Sequence, residues 1–142
     1  MSDDLSLHQD GQAIKQKLLL VEDDESSRIV LSMIFEDERF QVVQARDGIE
    51  ALEKVQLHQP AIIVSDLMMP KMSGLELLKH LKSDQQTASI PVLILTAAAH
   101  EDNELEMLQQ GAHDFVSKTV DYKVLVARVQ GILQRATQST AF

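Results

Sequence analysis

Short apolar runs recur along the chain and are separated by longer amphipathic segments. Five runs predict strands, which begin at residues 18, 40, 61, 92 and 115. The runs at residues 18–21, 61–64 and 92–95 are rich in Val, Ile and Leu without alternation, which is typical of strands covered on both faces. The run at residues 40–43 is more amphipathic, and the run at residues 115–116 is the weakest. Each interval between runs has room for one helix and two turns.

These intervals carry the periodicity and the caps of helices. Between the third and fourth runs, apolar residues recur at i, i+3, i+4 and i+7, as in a helix lying on a sheet: Gly74, Leu77, Leu78 and Leu81. The other helices are marked in chain order by Val30, Met33 and Ile34, by Ile49, Leu52 and Val55, by Leu105 and Leu108, and by Leu125, Val129 and Ile132. Caps and a left-handed stop are predicted at Asp47 with Glu50, Ser73 with Glu76, Asp121, and Gly111.

Five strands alternating with five helices predict a parallel sheet with right-handed crossovers. Five units are too few to close an eight-stranded barrel, so the fold class is α/β, with an open, doubly wound sheet between two layers of helices. Ligands of such folds bind beyond the carboxyl ends of the strands, where the strand order reverses. That edge is where functional residues are expected.

Four of the predicted strands end in residues that can carry chemistry. Glu22 and Asp23 follow the first strand, Asp66 ends the third, Thr96 ends the fourth and Lys118 follows the fifth. Taken singly, each is more simply explained as a helix cap, a turn residue or a solvated side chain. Their joint occurrence at four strand ends indicates a functional cleft.

The charges of these residues suggest which chemistry they support. Glu22, Asp23 and Asp66 would crowd negative charge into one cleft, and a divalent cation removes the cost of that repulsion. Carboxylates, a carbonyl and water are typical ligands of Mg²⁺, whereas Ca²⁺ takes more protein ligands. Lys118 and Thr96 could contact a phosphoryl group. Asp66, on the central strand, is the predicted nucleophile that would attack phosphorus and form an acyl phosphate.

Composition narrows the class of protein. The 142 residues include 22 acidic and 13 basic side chains, and the formal charge of −9 disfavours direct nucleic-acid binding. Cysteine is absent, which excludes disulfides and thiol catalysis. Without a membrane-spanning run or a signal sequence, a soluble cytoplasmic protein without membrane contact is expected. Predicted boundaries are an extension over residues 1–16, a folded domain over 17–135 and a short tail over 136–142, in a stand-alone protein or a segment of a longer one.

The strand-end residues and their surroundings resemble the receiver domain of bacterial two-component response regulators. The matching segments, in order and at matching spacing, are residues 18–24, 64–70, 72–74, 92–97 and 111–118. The resemblance covers residues 17–135, most of the chain. It implies the flavodoxin-like, CheY-like fold with strand order 2-1-3-4-5.

The resemblance implies roles for the acidic residues. Asp66 matches the phospho-accepting aspartate of the family. Asp23 matches a direct ligand of Mg²⁺ (or Mn²⁺), Glu22 matches a ligand acting through water, and the backbone carbonyl of Met68 matches a further ligand. The phosphoryl donor would be a histidine kinase or a histidine phosphotransfer protein.

It also implies a switch. Lys118 matches the lysine that contacts the phosphoryl group, and Thr96 with Phe115 matches the switch pair. Phosphorylation would change a docking surface for a downstream protein, formed by the fourth helix, fifth strand and fifth helix. Proline usually follows the lysine in this family, often with a cis peptide bond, but Thr119 stands there. The loop is therefore either trans and rearranged or cis and strained.

Three other functions fit the sequence less well than that of a receiver. An aspartate-nucleophile phosphatase or phosphotransferase usually has a second acid two residues after the nucleophile, where this chain has Met68. A flavodoxin-like cofactor binder needs a phosphate loop rich in glycine and hydroxyl groups after the first strand, where residues 22–25 are all acidic. A degenerate receiver used for contacts alone would lack Asp66 or Lys118. A receiver fits the sequence best.

Overall fold

The computed structural model describes residues 15–97 and 101–139. The elements, in order, are β1 (Lys17–Val21), α1 (Glu25–Asp37), β2 (Gln41–Ala45), α2 (Gly48–His58), β3 (Ile62–Asp66), α3 (Gly74–Ser83), β4 (Val92–Thr96), α4 (Glu101–Gln109), β5 (Asp114–Ser117) and α5 (Tyr122–Ser139). Each predicted strand start lies within one residue of the observed start. The predicted alternation of strands and helices is confirmed.

The five strands form one parallel sheet in the order β2-β1-β3-β4-β5. The chain moves outward in one direction from β1 to β2 and in the other direction from β3 to β5. The order therefore reverses between β1 and β3, whose last paired residues are Val21 and Ser65. The predicted doubly wound α/β fold and its strand order are confirmed, and the switch point lies where the acidic residues were expected.

Alternate residues of each strand point to opposite faces of the sheet, and both faces are covered. Leu18 and Leu20 belong to a cluster with the buried residues of α1 and α5. Leu19 and Val21 belong to a second cluster with α2, α3 and Met107 of α4. The sheet is thus the middle of three layers, which explains why β1, β3 and β4 read as continuous apolar runs.

The buried faces of α1 and α4 differ from the predicted stripes. Val30 and Met33 of α1 are 43% and 60% exposed, and the buried residues of that helix include Leu31 and Phe35. In α4 the two leucines that mark the helix, Leu105 and Leu108, are likewise exposed, and so is Ile49 in α2. Apolar residues stand on both stripes of these helices, so periodicity identified the helices without showing which stripe meets the sheet.

The predicted helix termini are confirmed. Asp47 accepts a hydrogen bond from Glu50 N at 2.8 Å, Ser73 and Glu76 form both bonds of a capping box, and Gly111 follows α4 with a φ of +102°. The carboxylate of Asp121 accepts a hydrogen bond from the backbone N–H of Lys123, two residues later, at 2.8 Å.

The predicted domain boundaries lie near residues 16 and 135. Residues 136–139, assigned to the tail, continue α5, whereas the extension lies almost wholly outside the described residues. Within residues 15–97 and 101–139, no helix has the length and apolar character needed to cross a membrane.

Candidate functional site

Three carboxylates converge at the switch point of the sheet. Glu22 and Asp23 follow β1, Asp66 ends β3, and one oxygen of each lies within 4.8 Å of the others. The register explains this convergence, because Val21 pairs with Ser65 and the next residue of each strand is an acid. Residues 44 positions apart in sequence therefore share one cleft, as predicted.

Lys118 reaches this cluster from the end of β5, the edge strand two positions from β3. Its ammonium nitrogen lies 2.9 Å from Glu22 Oε1 and 2.9 Å from Asp66 Oδ2. The peptide bonds of the described residues are all trans, including that between Lys118 and Thr119. Of the two loop geometries left open by the sequence, the trans form is therefore present, and it still brings the lysine to the acids.

Glu22 is the most buried acid of the cleft, with no exposed side-chain surface. Burial raises its pKa, an effect that hydrogen bonds from Lys118 and from Asp24 N (3.1 Å) oppose and the charge of Asp66 reinforces. Burial also acts to lower the pKa of Lys118, but the hydrogen bonds to Glu22 and Asp66 outweigh it, and that pKa is raised. The lysine thus remains a cation that partly neutralises the buried acids.

The cleft fits a divalent cation. Three carboxylates and one ammonium leave a formal charge of −2 at the site. Glu22 Oε1 is buried, and the Lys118 ammonium lies 2.9 Å from it. Asp23 is exposed, so the cleft opens to solvent on that side. Oxygen donors of this kind suit Mg²⁺ rather than a softer metal.

The loop after Asp66 is fixed by a close backbone approach. Gly74, the first residue of α3, packs against the end of β3 so tightly that a Cβ there would lie 2.3 Å from the backbone oxygen of Asp66. Gly74 N also donates a hydrogen bond to Leu67 O at 2.8 Å. The loop between them presents the side chain of Met68 to solvent, 71% exposed.

The two predicted switch residues lie on neighbouring strands. Thr96 is the last residue of β4, is 2% exposed, and stands one position beyond the register partner of Asp66. Phe115 of β5 pairs with Ile94 of β4 and is half-buried against the cluster that includes residues of α3 and α4. Thr96 therefore ends at the carboxylate edge, and the ring of Phe115 lies toward the α4 side of the sheet.

Arg28 is a site residue that sequence reasoning missed. From the first turn of α1, its Nη1 donates to the backbone oxygen of Glu22 at 2.9 Å, and its Nε donates to Gln44 Oε1 of β2 at 3.2 Å. This arginine ties the segment that carries the acids to the neighbouring strand. An arginine in an amphipathic helix has many possible partners, and no spacing in the sequence indicated this one.

A comparison with known protein families identifies the same strands and strand ends that form the cleft. The family model of the response regulator receiver domain matches residues 18–130. The chain belongs to the response regulator receiver domain family. Receiver domains are signalling modules of phosphorelay systems, and the predicted receiver role is confirmed.

Curated relatives are longer than this chain. Hybrid signal transduction histidine kinase D of Dictyostelium discoideum is 41% identical over 120 residues, which are 84% of this chain and 8% of that protein. The phosphate regulon transcriptional regulatory protein PhoB of Escherichia coli is 35% identical over 120 residues, 84% of this chain and 52% of PhoB. The receiver thus spans about half or less of these relatives.

Solved receivers share the fold closely. The receiver domain of a signal transduction histidine kinase from Syntrophus aciditrophicus has a TM-score of 0.78 and 33% identity, covering 84% of this chain and 90% of that one. The chemotaxis protein CheY4 of Vibrio cholerae has a TM-score of 0.78 and 32% identity, covering 82% and 97%. The CheY-like fold prediction is therefore confirmed.

Proposed function

We propose that this receiver accepts a phosphoryl group on Asp66 from a phosphohistidine of a histidine kinase or a histidine phosphotransfer protein. The observation that carries the proposal is the contact of one ammonium, that of Lys118, with both Asp66 and the buried Glu22 at 2.9 Å. That arrangement sets a nucleophilic carboxylate beside a fixed cation in a cleft that can also hold a divalent ion.

The transfer is a displacement at phosphorus. A carboxylate oxygen of Asp66 forms a bond to phosphorus, the phosphorus–nitrogen bond of the donor breaks, and its electron pair stays on the imidazole nitrogen, which takes up a proton from solvent. In this proposal Asp23, Asp66 and the Met68 carbonyl would hold Mg²⁺ or Mn²⁺ directly, and Glu22 would act through water. When bound, that ion supplies positive charge against the transferring phosphoryl oxygens. Subsequent hydrolysis adds water to phosphorus, releases inorganic phosphate and restores the carboxylate.

Lys118 and Thr96 act on the phosphorylated carboxylate in this scheme. The Lys118 ammonium already lies beside Asp66 and would neutralise one phosphoryl oxygen as a point charge. The Thr96 hydroxyl stands at the end of the adjacent strand, from which it would donate a hydrogen bond to another oxygen. The chain would therefore catalyse its own phosphorylation and dephosphorylation, with no separate substrate.

The switch proposal concerns the face formed by α4, β5 and α5. An inward movement of Thr96 would vacate space beneath β4 that the ring of Phe115 could fill, because Phe115 is only partly buried. That movement would alter the face that docks a downstream protein. The NMR resonances of the Phe115 ring should change when beryllofluoride and Mg²⁺ are added. An unchanged ring would remove Phe115 from the mechanism.

The phosphorylation proposal is tested by incubation with acetyl phosphate, with and without MgCl₂, followed by intact mass measurement. We expect a metal-dependent phosphoryl adduct that hydroxylamine removes and that Asp66→Asn abolishes. Asp24→Asn is a matched control, because Asp24 caps α1 on the same loop and asparagine caps a helix as well as aspartate does. A label that persists in Asp66→Asn would place the nucleophile elsewhere.

The role of the lysine is tested separately. Lys118→Ala leaves Asp23 and Asp66 in place, so we expect the Mg²⁺ affinity, measured by calorimetry, to stay close to that of wild type. The change in the NMR resonances of the Phe115 ring on addition of beryllofluoride should instead be largely lost. If Lys118→Ala instead abolished Mg²⁺ binding, the assignment of Lys118 to the phosphoryl group would be wrong.

A further inference from the structure

The Lys118 ammonium is delivered to the cleft by an exposed loop. Lys118 lies between the end of β5 and the start of α5, and its backbone N–H donates to Thr96 O of β4 at 2.8 Å. Beyond that bond, the chain turns into α5 within three residues. A long lysine side chain retains much rotational freedom, so the direction of the ammonium depends on how this short loop is held.

Two hydroxyl groups bracket the lysine. Ser117 Oγ lies 2.8 Å from Thr119 Oγ1, and Thr119 N donates to Ser117 Oγ at 3.2 Å. Val120 N donates to Ser117 O at 3.2 Å. Ser117 thus bonds to both residues that follow Lys118, and the backbone torsions of the lysine are confined between these bonds.

Empty space lies behind the same loop. A cavity of about 70 Å³ is lined by Ser117, Lys118 and Val120, by Glu22, and by residues of α1, β4 and α5. A loop that borders such a space can shift into it, because fewer atoms press on it from that side. Hydrogen bonds rather than close packing are therefore the restraint on this side of Lys118.

We propose that the hydroxyl pair of Ser117 and Thr119 is a positioning device that holds the Lys118 ammonium against Asp66 and Glu22. The hydrogen bonds found for the two hydroxyls join them to each other and to Thr119 N, so they act through the loop backbone. The proposal rests on the proposed function of Lys118 at the phosphoryl group, and it adds two residues that the resemblance to receivers did not assign.

Ser117→Ala tests the proposal through the initial rate of adduct formation with acetyl phosphate at saturating MgCl₂. We expect a rate about fivefold lower than wild type, the size expected for a lost neutral hydrogen bond. Ser117→Thr retains a hydroxyl and should stay within about twofold of wild type. Ser83→Ala is the matched control, since Ser83 Oγ bonds His80 O at the remote end of α3, and it should react at the wild-type rate.

Magnesium affinity separates positioning from general damage to the site. The three carboxylates are unchanged in Ser117→Ala, so calorimetric titration with MgCl₂ alone should give the wild-type affinity within about twofold, because no metal ligand is lost. A slower rate with unchanged affinity and rescue by Ser117→Thr supports the proposal. A wild-type rate in Ser117→Ala, or a loss of affinity equal to the loss of rate, overturns it.

A double variant tests whether the hydroxyls act as a unit. Thr119→Val keeps the branched shape and the backbone N–H but removes Oγ1. If the pair is one device, Ser117→Ala with Thr119→Val should be no slower than Ser117→Ala alone. Additive losses would overturn the proposal. Phosphorylation that is independent of Asp66 would instead overturn the proposed function, and the two failures are distinguished by the Asp66→Asn measurement.

Discussion

The two loops that complete the cleft are held in different ways. The β3–α3 loop is fixed by backbone contact, because Gly74 packs directly on the Asp66 carbonyl and bonds to Leu67 O. The β5–α5 loop is held by exposed hydroxyls and a single strand-like bond from Lys118 N to Thr96 O. Asp66 therefore lies on the rigid side of the cleft and the Lys118 ammonium on the more adjustable side.

This difference suits a site whose cation must follow a group that arrives and leaves. Under the proposed function, Asp66 presents its carboxylate in one position for in-line attack. Lys118 contacts two carboxylates and, under the same proposal, would contact a phosphoryl group after transfer; a loop held by hydrogen bonds can accommodate both. The comparison predicts that substitutions in the two loops will affect stability and phosphorylation in different proportions.

Gly74→Ala should have the largest effect. The added Cβ would meet a backbone oxygen at 2.3 Å, and backbone cannot move aside as a flexible side chain does. We expect the free energy of unfolding to fall by about 3 kcal/mol, at the upper end for an overpacked site, and adduct formation at Asp66 to be largely lost. Urea unfolding and the acetyl phosphate assay measure the two effects.

Gly131→Ala in α5 is the matched control for that substitution. The nearest atom to its added Cβ is Arg135 Nη1 at 3.4 Å, an ordinary contact with a flexible side chain. We expect this variant to be more stable by about 0.5–1 kcal/mol, because alanine favours a helix interior. Equal stability of the two alanine variants would contradict the account of the rigid loop.

Removal of the helix caps should give a smaller effect and sharpen the comparison. Ser73→Ala and Asp121→Ala each delete one N-terminal cap, of α3 and α5 respectively. We expect each to cost about 1 kcal/mol in urea unfolding. The phosphorylation rate should fall in Asp121→Ala. In Ser73→Ala it should stay at the wild-type value, because Gly74 fixes the β3–α3 loop independently of the cap. The reverse pattern would show that the β5–α5 loop is the more rigid of the two.

The smallest effect concerns the buried acid that holds Lys118. Burial raises the pKa of Glu22 above 4.5, the ordinary value, so the folded protein binds this proton more tightly than the unfolded chain does. The free energy of unfolding therefore falls as pH rises from that ordinary value through the raised pKa. Glu22→Gln removes this penalty, and without metal we expect it to be more stable by about 0.5 kcal/mol at neutral pH.

Urea unfolding of wild type and Glu22→Gln in EDTA, from acidic to neutral pH, tests whether the variant is the more stable. The two stability curves should converge below the ordinary pKa of glutamate, where Glu22 is neutral in both states. MgCl₂ should raise the stability of wild type more than that of Glu22→Gln. A variant less stable than wild type at neutral pH would mean that the ion pair with Lys118 outweighs the cost of burial.

Much of the fold was predictable because its signals are local. Runs of Val, Ile and Leu identified the strands, and the caps at Asp47 and Ser73 were visible from a glutamate three positions later. The acidic cluster was also predictable, since parallel strands end at one edge and the residues after β1 and β3 are acids.

Other parts of the site depend on distances between elements that no local pattern encodes. The need for glycine at position 74 arises from where α3 packs on β3. The bond from Arg28 to Glu22 O and the hydroxyl pair around Lys118 follow from loop geometry. The buried stripe of α1 was also decided by packing, because Met33 and Phe35 both fit a helical period.

The amino-acid sequence by itself determined the alternation of elements, the strand order through the family resemblance, and which residues reach the carboxyl edge, because period, caps and strand ends are properties of short segments. Only the tertiary structure decided that Lys118 reaches two acids through a trans peptide bond, and how its loop is held. Those outcomes depend on contacts among four strand ends and two loops, and such contacts exist only once the sheet is assembled.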